Sequence, residues 1–353
     1  MLRIPTTFVI GAGASNPYGL PIGKELLVEA TRLRTNRDLY DLVVARSQMP
    51  DKLREFQDEL DQHTAQSIDE YLETRQTELE LMKIGKYVIA ALMGKAVQRF
   101  HKAQPHEDWL GYVFHKMREG VDSGKTFTEN RVSFVTFNFD TIIENRFRAD
   151  LKSTFRDPPL DFPPVIHVHG KLPYLPSEPM RHGSRDFHPV WRTWLDEAAA
   201  NINVVLDAIN PETRETARNA VLTAEIVCFL GFAYATPNLD RLGLLEAINK
   251  GQGTGEMFGS AFKMETGEQK LCQIAIAFEN TVRRCRSRDA SKHCENCTSF
   301  VTESQLPVVA TVATFSAVLA GFVHCKLLNL LKTGSSISLA KVEVAGSNPV
   351  SRS

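Results

Sequence analysis

Four stretches of this sequence place glycines or polar residues directly behind apolar runs, where such residues can do chemistry. In the first, Phe8-Val9-Ile10 leads into Gly11-Ala12-Gly13-Ala14-Ser15. Two glycines one residue apart let backbone N–H groups approach a phosphate, and Ser15 can donate a hydrogen bond. The same pair also suits a plain tight turn from strand to helix. The dinucleotide fingerprint asks for a third glycine three positions after Gly13, and Asn16 stands there. In the second stretch, Asn138 and Asp140 follow Val132–Phe137. Asn138 can orient a sugar hydroxyl or a water, and Asp140 can accept from an amide or cap a helix. The third is Ile166-His167-Val168-His169-Gly170. Strand alternation would put both histidines on one face. His169, at the strand's end, can serve as a general base near neutral pH; a pair of core histidines is the plainer alternative. Two histidines do not close a metal site, and no cysteine precedes Cys228, so no metal is expected. In the fourth, Gly231 follows Ile226–Leu230, and Asn238 either contacts a ribose or simply lies near a helix start.

The elements that must position these residues alternate. Thr6–Ile10, Val132–Phe137, Pro164–His169 and Ile226–Leu230 read as short buried strands. Helices are expected from Gly23, from Asp140 or Thr141, over Pro211–Leu222 and from about Asn238. Strands alternating with helices predict an α/β fold, a Rossmann-like doubly wound parallel sheet. A helical insertion over about residues 36–125 interrupts it. Within that insertion Ser67-Ile68-Asp69-Glu70 fits a capping box, opening one long helix through Tyr71–Phe100, and a further amphipathic helix follows Pro105. The segment that follows His169-Gly170, to about Leu195, is Pro-rich and bears Trp, and no element is assigned to it. If the four strands lie side by side, their polar ends converge on one crevice.

Taken together, Gly11-Ala12-Gly13-Ala14-Ser15 with Gly19-Leu20-Pro21, Asn138 with Asp140, His169-Gly170 and Leu230-Gly231 resemble the sirtuin-like family, in particular its bacterial branch of NAD-consuming antiviral-defence proteins. The resemblance covers about residues 5–250, and Ser67–Leu72 within the helical insertion is also similar to that branch. It implies NAD as a substrate, with Gly11, Ala12, Gly13, Ser15, Asp140, Gly231 and Asn238 holding it and Asn138 and His169 catalytic. The implied reaction is hydrolysis of the nicotinamide–ribose bond to give nicotinamide and ADP-ribose, or a cyclic form. Two departures bear on activity. Deacetylating sirtuins follow their Gly-Ile-Pro with Asp-Phe-Arg, where this chain has Ile22-Gly23-Lys24. They also carry a four-cysteine zinc module after the catalytic histidine, which is missing here. The missing zinc module disfavours protein deacylation and ADP-ribosyl transfer, which stay alternatives beside a non-catalytic NAD or ADP-ribose sensor that gates a partner. The resemblance further implies restraint of NAD cleavage through a homo-oligomer, a partner ATPase or a phage-derived activator.

Composition narrows the classes. The 353 residues carry a net charge of -1, which gives no pull toward nucleic acid or anionic membrane, and no basic stripe interleaved with aromatics precedes residue 280. No secretory signal is visible and the 6 cysteines form no disulfide pattern, so a cytoplasmic setting is expected. Residues 1–280 read as the NAD-binding domain. Residues 281–353 differ: nine Lys and Arg against four Asp and Glu, and four of the six cysteines. The lone Cys294-x-x-Cys297 is half a zinc site. Ser304–Cys325 is 22 uncharged residues long, the length of a marginal membrane span, though a buried strand–helix element fits as well. The ending Val344–Ser353 matches a translated arm of a transfer-RNA gene, so this tail is expected to be a read-through or frameshifted extension.

Overall fold

In the computed structural model the described residues are 1–99, 107–159, 162–177, 181–182, 186–187, 189–204, 209–234, 236–243, 256–260 and 309–310. All fall within one compact unit, Met1–Ala313. The Cys294-x-x-Cys297 pair, the apolar stretch Ser304–Cys325 apart from Val309–Ala310, and the chain's ending lie outside them.

The strands are β1 (Thr6–Ile10), β2 (Val132–Thr136), β3 (Val165–His167), the two-residue pair β4 (Arg181–His182) and β5 (Asp186–Phe187), β6 (Ile226–Leu230), β7 (Glu256–Ser260) and β8 (Val309–Ala310). The main sheet runs β3-β2-β1-β6-β7, all parallel, with the short β8 beside β7; β4 and β5 pair antiparallel elsewhere. This is the doubly wound α/β sheet predicted from the alternation. β1 lies in its interior with β2 on one side and β6 on the other, so every residue from Thr6 to Ile10 is buried. A strand covered on both faces reads as an unbroken apolar run instead of an alternating one. β7 had no such signal in the sequence, because Gly259 and Glu256 dilute it.

The register decides where the loops start. Ile10 pairs with Thr136 and with Leu230, and Thr136 pairs with His167. Four parallel strands thus end in one row. The chain moves from β1 outward to β2 and β3, then returns to β6 on β1's other side, so the order reverses between β1 and β6. Crevices for ligands form at this kind of switch point, beyond the carboxyl ends of the strands.

The helices are α1 (Ala12–Ser15), α2 (Gly23–Thr31), α3 (Arg37–Ser47), α4 (Pro50–Gln62), α5 (Ile68–Glu73), α6 (Leu79–Gln98), α7 (Trp109–Arg118), α8 (Gly124–Phe127), α9 (Ile142–Thr154), α10 (Pro189–Asn201), α11 (Pro211–Leu222) and α12 (Thr236–Arg241). Apolar side chains cover both faces of the sheet. On one, Val9, Val135, Val227 and Phe229 pack with Ala217 and Val221 of α11. On the other, Phe8 stacks on Phe134 at 5.2 Å, and Trp109 of α7 and Phe147 of α9 close on Phe134. Each such aromatic, fully buried, contributes about 1.5–3 kcal/mol.

One expectation is corrected in the helical insertion. The single helix opened by Ser67 is two. Ser67 Oγ does accept from the Glu70 N–H at 3.1 Å, but the Glu70 carboxylate accepts from Gln66 and not from Ser67. The chain then turns after Glu73, and α5 packs back on α6, bringing Leu72 so close to Gly85 that a β-carbon there would meet it at 2.7 Å. That burial outweighs the helix propensity of the intervening residues. Beyond the insertion, the Pro-rich, Trp-bearing segment, to which no element was assigned, runs into α10, which packs on α6 and α3. Gly94 of α6 leaves room for the Trp194 ring, 2.4 Å from where a β-carbon would stand.

Candidate active site

Gly11 and Gly13 are required by chain packing. Gly11 N–H donates to Leu230 O at 2.9 Å and Gly13 N–H to Gly231 O at 3.0 Å, so the loop after β1 lies directly on the loop after β6. A β-carbon on Gly11 would stand 2.4 Å from Gly231 O, and one on Gly231 1.9 Å from Ala14 N. Gly231 also has φ +56, a left-handed conformation that favours glycine. The two glycine loops predicted to cradle a ligand therefore cradle each other first, and the N–H groups of Gly11, Gly13 and Ala14 are already used. Ala12, at the start of α1, is exposed; Ser15 at its end is buried.

Ser15 is the hub of the site. Its hydroxyl donates to Asp140 Oδ2 at 2.9 Å and accepts from Asn138 Nδ2 at 2.9 Å; the same amide also donates to Gly11 O at 3.1 Å. The Asn138 N–H donates to Thr136 Oγ1 at 3.0 Å. Asp140 does not cap α9 in the simplest sense, since Thr141 occupies the N-cap position, but its Oδ1 accepts from Ile142 N–H at 3.1 Å. Burial drives the Asp140 carboxyl above the usual carboxylate range, and the bonds from Ile142 and Ser15 offset only part of that. Ser15, Asn138 and Asp140 are thus joined, as their positions behind neighbouring strands led one to expect.

The histidines part company. β3 ends at His167, so strand alternation no longer governs His169, which sits in the following turn. His167 faces the Asn138 carbonyl (Nδ1, 3.1 Å) and Glu144 of α9 (Nε2, 3.0 Å). His169 is buried against the rings of Phe137 and Phe139, and its Nε2 lies 2.7 Å from Arg241 Nη1 on α12. A guanidinium only donates, so Nε2 accepts and the ring proton of the neutral form sits on Nδ1. Gly170 follows with φ +86 and its Cα pressed on Asn201, where a β-carbon would come within 1.8 Å of the carbonyl oxygen. Asn238 is three residues before Arg241 on the short α12, and its Oδ1 is buried without a hydrogen-bond partner.

Several residues that the sequence reading passed over hold the site. Trp109 Nε1 donates to Ala14 O at 2.8 Å, tying α7 of the insertion to the loop after β1. Tyr18 donates to Asp108 at 2.9 Å and accepts from Leu110 N–H at 3.0 Å, while Arg146 of α9 grips Asp108 through two bonds. Burial opposes ionisation of Asp108, yet the bonds from Arg146, Gly111 and Tyr18 hold it below the usual range. Glu144 was visible only as an acidic residue in a helix's first turn, and Arg241 carried no signal. Beside Thr141 opens a cavity of about 300 Å³ lined by Ile142, Asn145, Leu172, Tyr174 and Trp194, at the small end of ligand cavities. Cys228 in β6 is buried, which pushes its thiol up to about 12. Among the described residues no cluster of three or more His, Cys, Asp or Glu could hold a metal, and no helix is long and apolar enough to cross a membrane.

Fold and site together define a Rossmann-like α/β protein whose polar side chains gather at the switch point of a parallel sheet. No protein-family model matches the chain, and no curated protein matches it in sequence.

Proposed function

We propose that this chain is a sirtuin-like NAD hydrolase that breaks the bond between nicotinamide and ribose, acting in the cytoplasm as a homo-oligomer in NAD-depleting antiviral defence. The observation that carries the reading is the buried Ser15–Asn138–Asp140 set at the switch point, with His169 in the turn after the neighbouring strand. In the proposed step water forms a bond to the ribose C1′ while the C1′–N bond breaks, its electron pair leaving with nicotinamide. The transition state resembles an oxocarbenium ion. Asn138 orients the water and His169 takes its proton; attack by a group of the substrate itself gives the cyclic product. Because Arg241 occupies His169 Nε2, it must be drawn off, and the diphosphate of NAD is an anion suited to do so. An Asp140 held toward its neutral form repels that diphosphate less than an ionised one. Asn238 Oδ1 offers an unused acceptor to a ribose hydroxyl.

The experiment is nicotinamide release from NAD by the wild type, Asn138→Ala and His169→Ala, in the presence of any partner ATPase or phage-derived activator that proves necessary. General-base assistance is typically worth 10²–10⁴-fold, so turnover by His169→Ala should fall by about that factor. Near-wild-type release by that variant would overturn the assignment. One observation favours a second reading: the Gly13 N–H and the Asn138 amide already have protein partners. A sensor would bind NAD, measurable by calorimetry, and release no nicotinamide.

A further inference from the structure

Behind Asn138 lies a polar relay that the proposed reaction does not use. His167, the last residue of β3, points Nδ1 at the Asn138 main-chain carbonyl (3.1 Å) and Nε2 at Glu144 Oε1 (3.0 Å). The same carboxylate oxygen takes Lys171 Nζ at 2.7 Å. The His167 and Glu144 side chains are 7% and 15% exposed, and Lys171, at 40%, closes the outer end.

Both partners of His167 only accept: one is a carbonyl, the other an ionised carboxylate. The two bonds are made together only when both ring nitrogens carry hydrogen, and Glu144 then balances the ring's charge. Titratable groups face this ring from each side: Glu144 from α9, Lys171 through Glu144, and the buried Asp140. Glu144 takes His167 and Lys171 on one oxygen and leaves Oε2 buried without a partner. A largely buried ion pair that is incompletely hydrogen-bonded is weak evidence for stability. What it does supply is geometry. Asn138 is held through its N–H by Thr136 and through its side-chain amide by Gly11 and Ser15. His167 adds the hold on its carbonyl, from the next strand.

We propose that His167 and Glu144 are positioning residues for Asn138: Glu144 fixes the ring, and the ring fixes the main chain from which the Asn138 amide projects. This rests on reading Asn138 as the group that orients the attacking water.

The test uses the full chain labelled with ¹⁵N at histidine and asparagine, which gives readouts that need no turnover. In the wild type, His167 Nδ1 should carry the hydrogen that it donates to the Asn138 carbonyl. Glu144→Gln and His167→Gln should each shift the Asn138 side-chain amide signal. Lys171→Met, a surface change that serves if the buried variants do not fold, should shift it in the same direction by less. A wild-type His167 with no hydrogen on Nδ1, or an Asn138 signal unmoved by every variant that folds, overturns the proposal. With NAD, Glu144→Gln should lower kcat by roughly tenfold or more, toward the hundredfold that a misplacement of about 1 Å can cost. KM should change less than about threefold. A raised KM with kcat retained would also overturn it. If the wild type releases no nicotinamide, the hydrolase reading fails, and the ¹⁵N spectra still decide whether His167 and Glu144 set Asn138.

Discussion

Ser15 donates its hydroxyl to the Asp140 carboxylate at 2.9 Å, joining the loop after β1 to the loop after β2 across 125 residues of chain. The same oxygen receives the Asn138 amide, so one side chain satisfies two buried groups at once. Ser15→Ala should therefore cost about 1–3 kcal/mol, because Asp140 and Asn138 each lose a partner where water cannot replace it. Urea unfolding would show this as a lower midpoint with an unchanged slope. On the proposed reading, nicotinamide release should fall as well.

Gly231 and Gly120 both have positive φ, +56 and +69, but their surroundings differ. Around Gly120 a β-carbon meets nothing within 4 Å, so Gly120→Ala should cost only the left-handed strain of about 1–2 kcal/mol. A β-carbon on Gly231 would stand 1.9 Å from the backbone of Ala14. Gly231→Ala should cost far more and abolish soluble expression. Equal unfolding midpoints for the two variants would contradict this packing.

Glu144 and Asp140 make opposite contributions to the pH dependence of stability. Burial would raise Glu144, but His167 and Lys171 prevail and bring it from 4.5 down to about 2. The unfolded chain then takes the proton first on acidification, so this stability is full above about pH 4.5 and is lost as pH falls toward 2. The shift corresponds to at most about 3 kcal/mol. Asp140 is raised by burial, so the folded chain holds its proton longer, and its contribution declines as pH rises above 3.8. Urea unfolding at pH 3, 5 and 7 should show Glu144→Gln flattening the acid side and Asp140→Asn the rise in cost toward neutral pH.

Tyr18 links the segment after α1 to the insertion. Tyr18→Phe removes an acceptor from Leu110 N–H and a donor from Asp108, with an expected cost of about 1–3 kcal/mol. Since Trp109 beside it anchors Ala14, tryptophan emission should report the loosening before global unfolding. Unchanged emission and midpoint would show that α7 is held without Tyr18.

Much of this architecture was legible in the chain. β1, β6 and α11 fall where apolar runs and propensity put them, because a buried parallel strand and a Pro-initiated helix write their own local pattern. The second parts of the helical region were not legible. The break between α5 and α6 and the helix α10 depend on Leu72 meeting Gly85 and Trp194 meeting Gly94, contacts that have no trace in local spacing. His169 was expected to share a face with His167, and β3 stops two residues too early for that.

Sequence by itself determined that strands lead into these residue types: Gly11, Ser15, Asn138, Asp140, His169 and Gly231, though not where β2 and β3 end. Those follow from local rules, since each closes a short apolar run. Tertiary structure alone decided their relations. The level register of β3, β2, β1 and β6 brings Ser15 onto Asp140 and Asn138. It also sets Gly13 on Gly231, sends His169 to Arg241, and leaves His167 to Asn138 and Glu144. Hydrogen-bond partners from 23 to 125 residues apart, and farther, are chosen by sheet order and burial, which no local window of sequence contains.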